Sequence, residues 1–145
     1  MLQNPNNSKP KVFFNASVIL AGLKSPTGGS GRLLNWSRNQ RINGVISEIV
    51  ADEAVRHANK IGFKPTHIRL AIKTIFRQIL EAPAERNVAK FNKIVIDLGD
   101  AHILASCYEI KPDFLVTLDK KHLLILQGKI KWMKIVSPGE LIARL

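Results

Sequence analysis

Four carboxylates and one amide of this 145-residue chain lie at the ends of predicted strands, or before or within predicted helices. Asn15 ends the apolar run KVFF, and Asp119 ends the run FLVTLD. Asp97 and Asp100 precede a helical pattern, and Glu53 lies within another. Carboxylates that converge raise one another's pKa, so a divalent cation is their natural partner. Ligation by oxygen favours a hard ion such as Mg²⁺ or Mn²⁺.

Strands and helices must alternate to bring these side chains together. Short β-branched runs predict strands at residues 11–14, 42–47, 114–119 and 132–136. Helical spacing predicts helices at 48–60, 65–81 and 100–110, with shorter ones after residues 15, 30 and 120. The stretch 88–97 is ambiguous between a short strand and a connection. This alternation predicts a mostly parallel α/β sheet covered on both faces, with its ligands at the carboxyl ends of the strands.

Capping signals fix several helix starts. Ser47 is placed to cap the helix at 48–60, and Pro65 suits the first turn of the next one, which Pro83 would end. Ser137 and Glu140 have the spacing of a capping box. We therefore exclude Glu140 from the acidic site.

Length and composition predict one globular domain. The length is close to the roughly 150 residues of an ordinary domain, and 46% hydrophobic with 23% charged residues excludes disorder. Cys107 is the single cysteine, which excludes an intramolecular disulfide and a multi-cysteine zinc site. We find no membrane span and no apolar signal core in the opening MLQNPNNSKPK. We expect a cytoplasmic protein with a loose tail at 1–10 and a domain at 11–145.

The order of the motifs resembles that of a PIN domain. The strings that carry the resemblance are VFFNASVILAGL, TGGSGRLL, VISEIVADE, DLGDAHILA, FLVTLDKKHLL and IVSPGELI. They run from about residue 11 to residue 145 and are most similar to the single-domain, toxin-like bacterial members. The resemblance implies a three-layer α/β/α fold and a metal-dependent ribonuclease that leaves 5′-phosphate and 3′-hydroxyl ends. It also implies a homodimer and an antitoxin protein as partner.

The family's four acidic positions fall, in chain order, on Asn15, Glu53, Asp100 and Asp119. The resemblance implies that Asp100 and Asp119 contact Mg²⁺ or Mn²⁺. Glu53 would orient the attacking water or complete the metal shell. Each of these residues also has a plainer alternative: the two aspartates as helix N-caps and the glutamate as a solvated helix residue.

Asn15 departs from the family, which has Asp at this position. Its amide oxygen brings no charge and cannot act as a base, which predicts Mg²⁺ binding weaker by about 1–3 kcal/mol. Two accounts are open: a naturally degenerate domain, or a deliberate substitution in an active toxin. The resemblance also gives Asp97, three residues before Asp100, as an accessory acid of the metal site, and Ser17 and Thr117 as supporting hydroxyls.

A basic surface is expected as well. The chain has 22 Lys and Arg against 11 Asp and Glu, a net charge of +11, which suggests a polyanionic partner. Arg69, Lys73 and Arg77 recur every four residues and would form one stripe on the helix predicted at 65–81. With Lys120 and Lys121 they are predicted to hold RNA phosphates, although a solvated helix face also explains the stripe.

Two other classes of function are open at this point. A non-catalytic RNA-binding or protein-interaction module predicts salt-sensitive RNA affinity without metal. A plain nucleotide-binding α/β domain predicts stabilisation by ATP or GTP. The motif TGGSGR lacks the Lys-Ser or Lys-Thr ending of a phosphate-binding loop and is typical of a mobile loop near the site.

Overall fold

Strands and helices alternate along the chain, as the apolar pattern predicts. The structure is a computed structural model that describes residues 9–145, so most of the predicted tail at 1–10 lies outside the described residues. The strands are β1 (Lys11–Phe14), β2 (Asn43–Ser47), β3 (Gln78–Leu80), β4 (Phe114–Val116) and β5 (Lys134–Val136). The α-helices are α1 (Ala16–Lys24), α2 (Gly29–Arg38), α3 (Glu48–Arg56), α4 (Pro65–Ile75), α5 (Glu85–Phe91), α6 (Ala101–Ile110) and α7 (Pro138–Arg144). Short 3₁₀ turns lie at Ala58–Ile61, Leu98–Asp100 and Leu124–Leu126.

The five strands form one parallel sheet in the order β3-β2-β1-β4-β5. Phe13 of β1 is in register with Val45 of β2 on one side and with Leu115 of β4 on the other. The chain leaves β1 toward β2 and β3 and then returns across the sheet to β4 and β5. A parallel sheet opens a crevice where its order reverses in this way, at the carboxyl ends of the strands. This carboxyl edge is therefore the side on which a site is expected, between β1 and β4.

Helices cover both faces of the sheet in a three-layer α/β/α arrangement. Right-handed crossovers place α1 to α4 on one face and α5 and α6 on the other. The packing agrees, since α1 contacts α2 and α3, α3 contacts α4, and α5 contacts α6. Helix α7 packs against α2. The fold class predicted from the sequence is confirmed.

The first strand is the centre of the hydrophobic core. Val12, Phe13 and Phe14 have no exposed surface, as expected of a continuous apolar run between two helical layers. The ring of Phe14 meets Phe76 edge to face, with centroids 5.1 Å apart. The residue that follows β1, Asn15, is therefore held in one of the most rigidly packed parts of the molecule.

The predicted caps at two helix starts are confirmed. The Ser47 hydroxyl accepts a hydrogen bond from the Val50 amide at 3.2 Å at the start of α3. At α7, Ser137 and Glu140 form the reciprocal capping box, and Pro138 occupies the first turn. Glu140 is engaged in this cap, which agrees with its exclusion from the acidic site.

The helix predicted at 65–81 is wrong for residues 76–81. Helix α4 ends at Ile75, well before Pro83, and Phe76 is extended with φ −112° and ψ 126°. The next residues form β3, in which Ile79 pairs with Ile46 of β2. Parallel pairing with a buried strand overrides the helical spacing of the apolar residues.

The basic stripe predicted on that helix is consequently wrong as a single helix face. Arg69 and Lys73 are exposed on α4, but Arg77 follows the end of the helix, in the bend that leads into β3. The spacing of four residues ceases to place side chains on one face once the backbone is extended.

The suggested strand within 88–97 is also wrong, since α5 occupies its first part. Phe91 is buried and packs edge to face on Tyr108 of α6, with centroids 5.9 Å apart. The position beside β2 is taken by β3, so the third strand along the chain is formed by residues 78–80 and not by this segment. None of the helices in residues 9–145 has the length and apolarity needed to cross a membrane.

Candidate metal centre

The carboxyl ends of β1 and β4 meet at the reversal of the sheet and bring polar side chains together. Asn15 directly follows β1, and Thr117 directly follows β4. The backbone amide of Asn15 donates to the carbonyl of Val116 at 3.0 Å, which extends the strand pairing to the edge. Asp100 arrives from another element, the 3₁₀ turn that leads into α6.

Asn15 is the centre of a hydrogen-bond network that joins the two strand ends. Its side-chain oxygen accepts from the Ser17 hydroxyl at 2.6 Å and from the Thr117 hydroxyl at 3.0 Å. Each hydroxyl accepts in turn from the backbone: Ser17 from the Leu118 amide at 3.2 Å, and Thr117 from the Asp119 amide at 3.1 Å. The network fixes the start of the loop that carries Asp119.

This network occupies both acceptor positions of the Asn15 oxygen. An amide oxygen has two lone pairs, and two hydroxyls already donate to them. The remaining polar group of Asn15 is an NH₂, which donates and cannot ligate a cation. A carboxylate at this position would accept the same two hydroxyls with one oxygen and keep the second oxygen free.

Asp119 holds the turn after β4 and also contacts a histidine. One of its oxygens accepts from the backbone amides of Lys121 and His122, at 3.1 and 2.9 Å. The other lies 3.0 Å from Nδ1 of His122. The capping role considered for Asp119 thus holds for this turn, and the same residue orients the imidazole.

Asp97, Asp100 and His122 form a compact cluster of ligand atoms. One oxygen of each aspartate and one ring nitrogen of His122 lie within 4.8 Å of one another. Asp97 is exposed and accepts from the Gly99 amide at 2.9 Å, so it caps the 3₁₀ turn. Asp100 makes no such cap bond at the start of α6.

Asp100 is the member of this cluster with an oxygen that lacks a hydrogen-bond partner in the described residues. Its Oδ2 is buried and has no hydrogen-bond partner. Burial, followed by the charges of Asp119 and Asp97 and a smaller one from Glu53, raises the pKa of Asp100 to about 6, against the opposing effect of His122. A half-buried carboxyl without a cap or a cationic partner is costly by itself. Hydrogen bonding within the described residues therefore does not account for the position of this carboxyl.

These residues fit a divalent cation. Carboxylate oxygens are the preferred ligands of Mg²⁺ and Mn²⁺, and a cation would compensate the charges that raise the pKa of Asp100. The unpartnered Oδ2 of Asp100 is the donor atom free to take such an ion. Asp97 and the pair of Asp119 with His122 stand around it.

The structure gathers most of the predicted acidic site but leaves some predicted residues apart. Glu53 is half-buried on α3 and acts on Asp100 through its charge, outside the tight cluster. Lys120 and Lys121 are exposed beside Asp119. Arg69 lines a separate cavity between α3 and α4 together with Asp52.

His122 is the member that sequence reasoning missed. Its signal was the spacing of three residues from Asp119, which brings two side chains onto one side of a turn. Because His122 belongs to a turn rather than to a helix, periodicity alone did not single it out.

A comparison with protein families places this geometry in context. The profile of the PIN domain matches residues 11–121, which is most of the chain and includes every acidic residue of the cluster. His122 lies one residue beyond the matched span. No curated protein matches the sequence. The chain therefore belongs to the PIN domain family, a nuclease-type family whose members generally depend on divalent metal ions.

Proposed function

We propose that the protein is a PIN endoribonuclease scaffold that binds Mg²⁺ or Mn²⁺ at its carboxyl edge and acts on RNA phosphodiesters. The observation that carries the proposal is Asp100, a half-buried carboxyl with a pKa raised to about 6 and an oxygen without a partner. Local structure gives this carboxyl no other use. Charged neighbours converge on it as a metal site requires.

Each residue of the cluster has a distinct role in this proposal. Asp100 and Asp97 would hold the cation directly, and Asp119 would hold it directly or through water. His122 would stand beside them, oriented by Asp119. A bound divalent cation supplies positive charge for the phosphate oxygens and lowers the pKa of a water molecule. Glu53 on α3 would accept a hydrogen bond from that water and orient it toward the phosphorus.

Asn15 supports a second candidate function, an RNA-binding PIN domain with little or no cleavage. Its oxygen is saturated by Ser17 and Thr117, so it offers no acceptor to a cation. The site then has one negative ligand fewer than an Asp at this position would give. We expect Mg²⁺ to bind more weakly and cleavage to be slowed by this one substitution.

RNA and protein partners belong to the proposal as well. Lys120 and Lys121 lie next to Asp119, where they can hold phosphates entering the site. Arg69 and Lys73 are proposed as additional contacts on α4. A cytoplasmic toxin that forms a homodimer and pairs with an antitoxin is supported by the sequence resemblance.

Cleavage of a mixed RNA pool in Mg²⁺, Mn²⁺ or EDTA tests the function. The chain as it stands is compared with Asn15→Asp, which restores a free carboxylate oxygen, and with Asp100→Ala. We expect Asn15→Asp to cleave about 10–100-fold faster than the chain as it stands, on the scale of one charge-assisted ligand. Cleavage should stop in EDTA and in Asp100→Ala.

The matched control is Asn59→Asp, which adds the same charge in the exposed turn between α3 and α4. It should leave cleavage unchanged. If Asn15→Asp does not cleave but every variant binds RNA, the binding-module function is the correct one. If cleavage persists in EDTA, the proposed metal dependence is wrong.

A further inference from the structure

The edge of the sheet opposite the acidic cluster carries a row of cations. All five strands are parallel, so their amino-terminal ends lie together along this amino edge. Basic residues stand at or just before every strand start: Lys9 and Lys11 at β1, Arg41 at β2, Arg77 at β3, Lys111 at β4, and Lys131 and Lys134 at β5. Strands lie about 4.8 Å apart, so the row extends over about 19 Å.

Within the part of the chain that the structure describes, none of these cations forms an ion pair with a carboxylate. Within residues 9–145 the one ion pair is that of His122 with Asp119, at the other edge. Asp113 interrupts the row just before β4, and one of its oxygens accepts from the backbone amide of Lys11 at 2.8 Å. The positive charge of the row is therefore left for a partner outside the chain.

Both tryptophans and the one tyrosine of the chain stand at this same edge. The guanidinium of Arg41 lies 4.5 Å from the ring centroid of Trp36, near the end of α2. Nζ of Lys111 lies 4.0 Å from the centroid of Tyr108 and 4.6 Å from that of Trp132. The three rings are half-buried, so each keeps part of its surface exposed beside a cation.

A cavity opens at this edge beside the starts of β1, β2 and β3. It has a volume of about 250 Å³, and Lys9 and Arg77 contribute its cationic side chains. Ser37, Gln40 and Asn43 add hydrogen-bonding groups. Two cations and several polar groups around one opening suit a phosphate group.

We propose that the amino edge is a second RNA-binding surface, which holds single-stranded RNA on the side of the sheet opposite the acidic cluster. A row of cations without carboxylate partners attracts the phosphate backbone, and the parts of the half-buried rings that are left exposed beside it offer aromatic surface to unpaired bases. An acidic protein would satisfy the cations but has no bases for the rings. This surface goes beyond the proposed reaction and does not depend on it.

Intrinsic tryptophan fluorescence tests the surface directly, because Trp36 and Trp132 are the only tryptophans and both lie at the amino edge. A single-stranded RNA of about 12 nucleotides is titrated in EDTA, which removes any contribution of metal. We expect saturable quenching that weakens with salt. The variants Trp36→Phe and Trp132→Phe should each remove part of the quenching.

Reversing the charge of selected lysines and arginines shows which of them contribute to RNA binding. The double variant R41E/K111E should bind RNA about tenfold more weakly, and its salt slope should fall by about 0.7 for each lost phosphate contact. K131E/K134E repeats the test at residues that form no cation–π pair with these rings in residues 9–145. The matched control is K60E/K64E, which makes the same change in net charge. Lys64 precedes α4, about 16 Å along the helix from Arg77.

Several outcomes would overturn the proposal. One is an RNA affinity of R41E/K111E and of K131E/K134E that stays within about twofold of that of the unmodified chain. Another is an equal loss in K60E/K64E, which would reflect net charge alone. A loss confined to K120E/K121E would place binding at the carboxyl edge only. Equal quenching by poly-glutamate would indicate an acidic protein as partner. Failure of cleavage leaves this test intact, since binding is measured in EDTA.

Discussion

At the scale of single residues, the acidic edge is decided by which oxygens are already occupied. The Asn15 oxygen accepts two hydroxyls and has no lone pair left, whereas Oδ2 of Asp100 has no partner at all. Two residues assigned to one metal site from sequence thus differ in what they can offer. Spacing along the chain does not distinguish them, because occupancy depends on Ser17 and Thr117, which come from two strand ends.

The raised pKa of Asp100 has a consequence for stability. The folded pKa of about 6 lies above the ordinary value of 3.8, so the folded state binds the proton more tightly than the unfolded state. In the absence of metal, this group therefore lowers stability as pH rises from about 4 to about 6, and the loss remains above that range. Asp100→Asn should remove it and stabilise the apo protein by about 1 kcal/mol at neutral pH, after allowance for solvent around the half-buried group.

Thermal melting in EDTA at about pH 4.5 and about pH 7.5 checks this prediction. The gain of Asp100→Asn over the unmodified chain should be larger at the higher pH. Asp52→Asn, an exposed carboxylate on α3, is the control and should show no such difference. An Asp100→Asn variant that is less stable than the unmodified chain at the higher pH would contradict it.

The hydroxyl of Thr117 should be needed for stability. Thr117 is fully buried, donates to Asn15 and accepts from the Asp119 amide. Thr117→Val keeps the shape but leaves the partly buried Asp119 amide and the buried Asn15 oxygen without that partner, which costs about 1–3 kcal/mol. Thr117→Ser keeps the hydroxyl and is the control. Urea denaturation of the three proteins measures the difference, and equal stability of the Val variant would argue against the network.

At the scale of elements, the glycines of the segment TGGSGR are explained by how closely helix α2 packs. Helix α2 begins at Gly29, so the last part of the motif is helical rather than a loop near the site. A Cβ on Gly31 would overlap the backbone oxygen of Pro26, whereas one on Gly29 would sit 3.6 Å from Ile142 and Pro138, an ordinary contact. Close approach of α2 to the turn after α1 therefore requires a glycine at position 31.

Gly31→Ala should destabilise the protein by about 1–3 kcal/mol, as overpacking against a rigid backbone does. Gly29→Ala, two residues away in the same helix, should be tolerated. Thermal or urea denaturation of both variants gives the comparison. A loss of stability for Gly29→Ala as large as that for Gly31→Ala would indicate that the turn before α2 is responsible, and not the contact between residue 31 and Pro26.

At the scale of the whole molecule, charge is distributed by strand direction. The acidic cluster lies at the carboxyl edge, and unpaired cations line the amino edge. Within residues 9–145 no Lys or Arg forms an ion pair with a carboxylate. Like charges along one edge repel one another, which destabilises the compact state at low salt.

Salt should consequently stabilise the protein. Raising sodium chloride from about 20 mM to about 300 mM makes the screening length shorter than the row of cations, so that repulsion between its two ends is screened. We therefore expect a melting temperature about 3 °C higher. The variant K131E/K134E, with less repulsion, should respond less. A melting temperature that falls with salt in differential scanning fluorimetry would contradict this account.

The sequence by itself determined the layered fold, the central strand and most of the acidic residues. These follow from local rules: a continuous apolar run at residues 11–14 is a buried strand, and polar residues after strands meet at one edge of a parallel sheet. Ser47 and the Ser137–Glu140 box also fixed their helix starts locally.

Only the tertiary structure decided the rest, because the deciding partners are distant in sequence. Pairing with β2 turned residues 78–80 from helix into strand and moved Arg77 off its predicted stripe. The turn after β4 brought His122 to Asp97 and Asp100. Parallel pairing brought together, at the amino edge of the sheet, cations and aromatic rings that are far apart in the sequence. Periodicity reports what one element prefers, whereas these features arise from pairing and burial between elements.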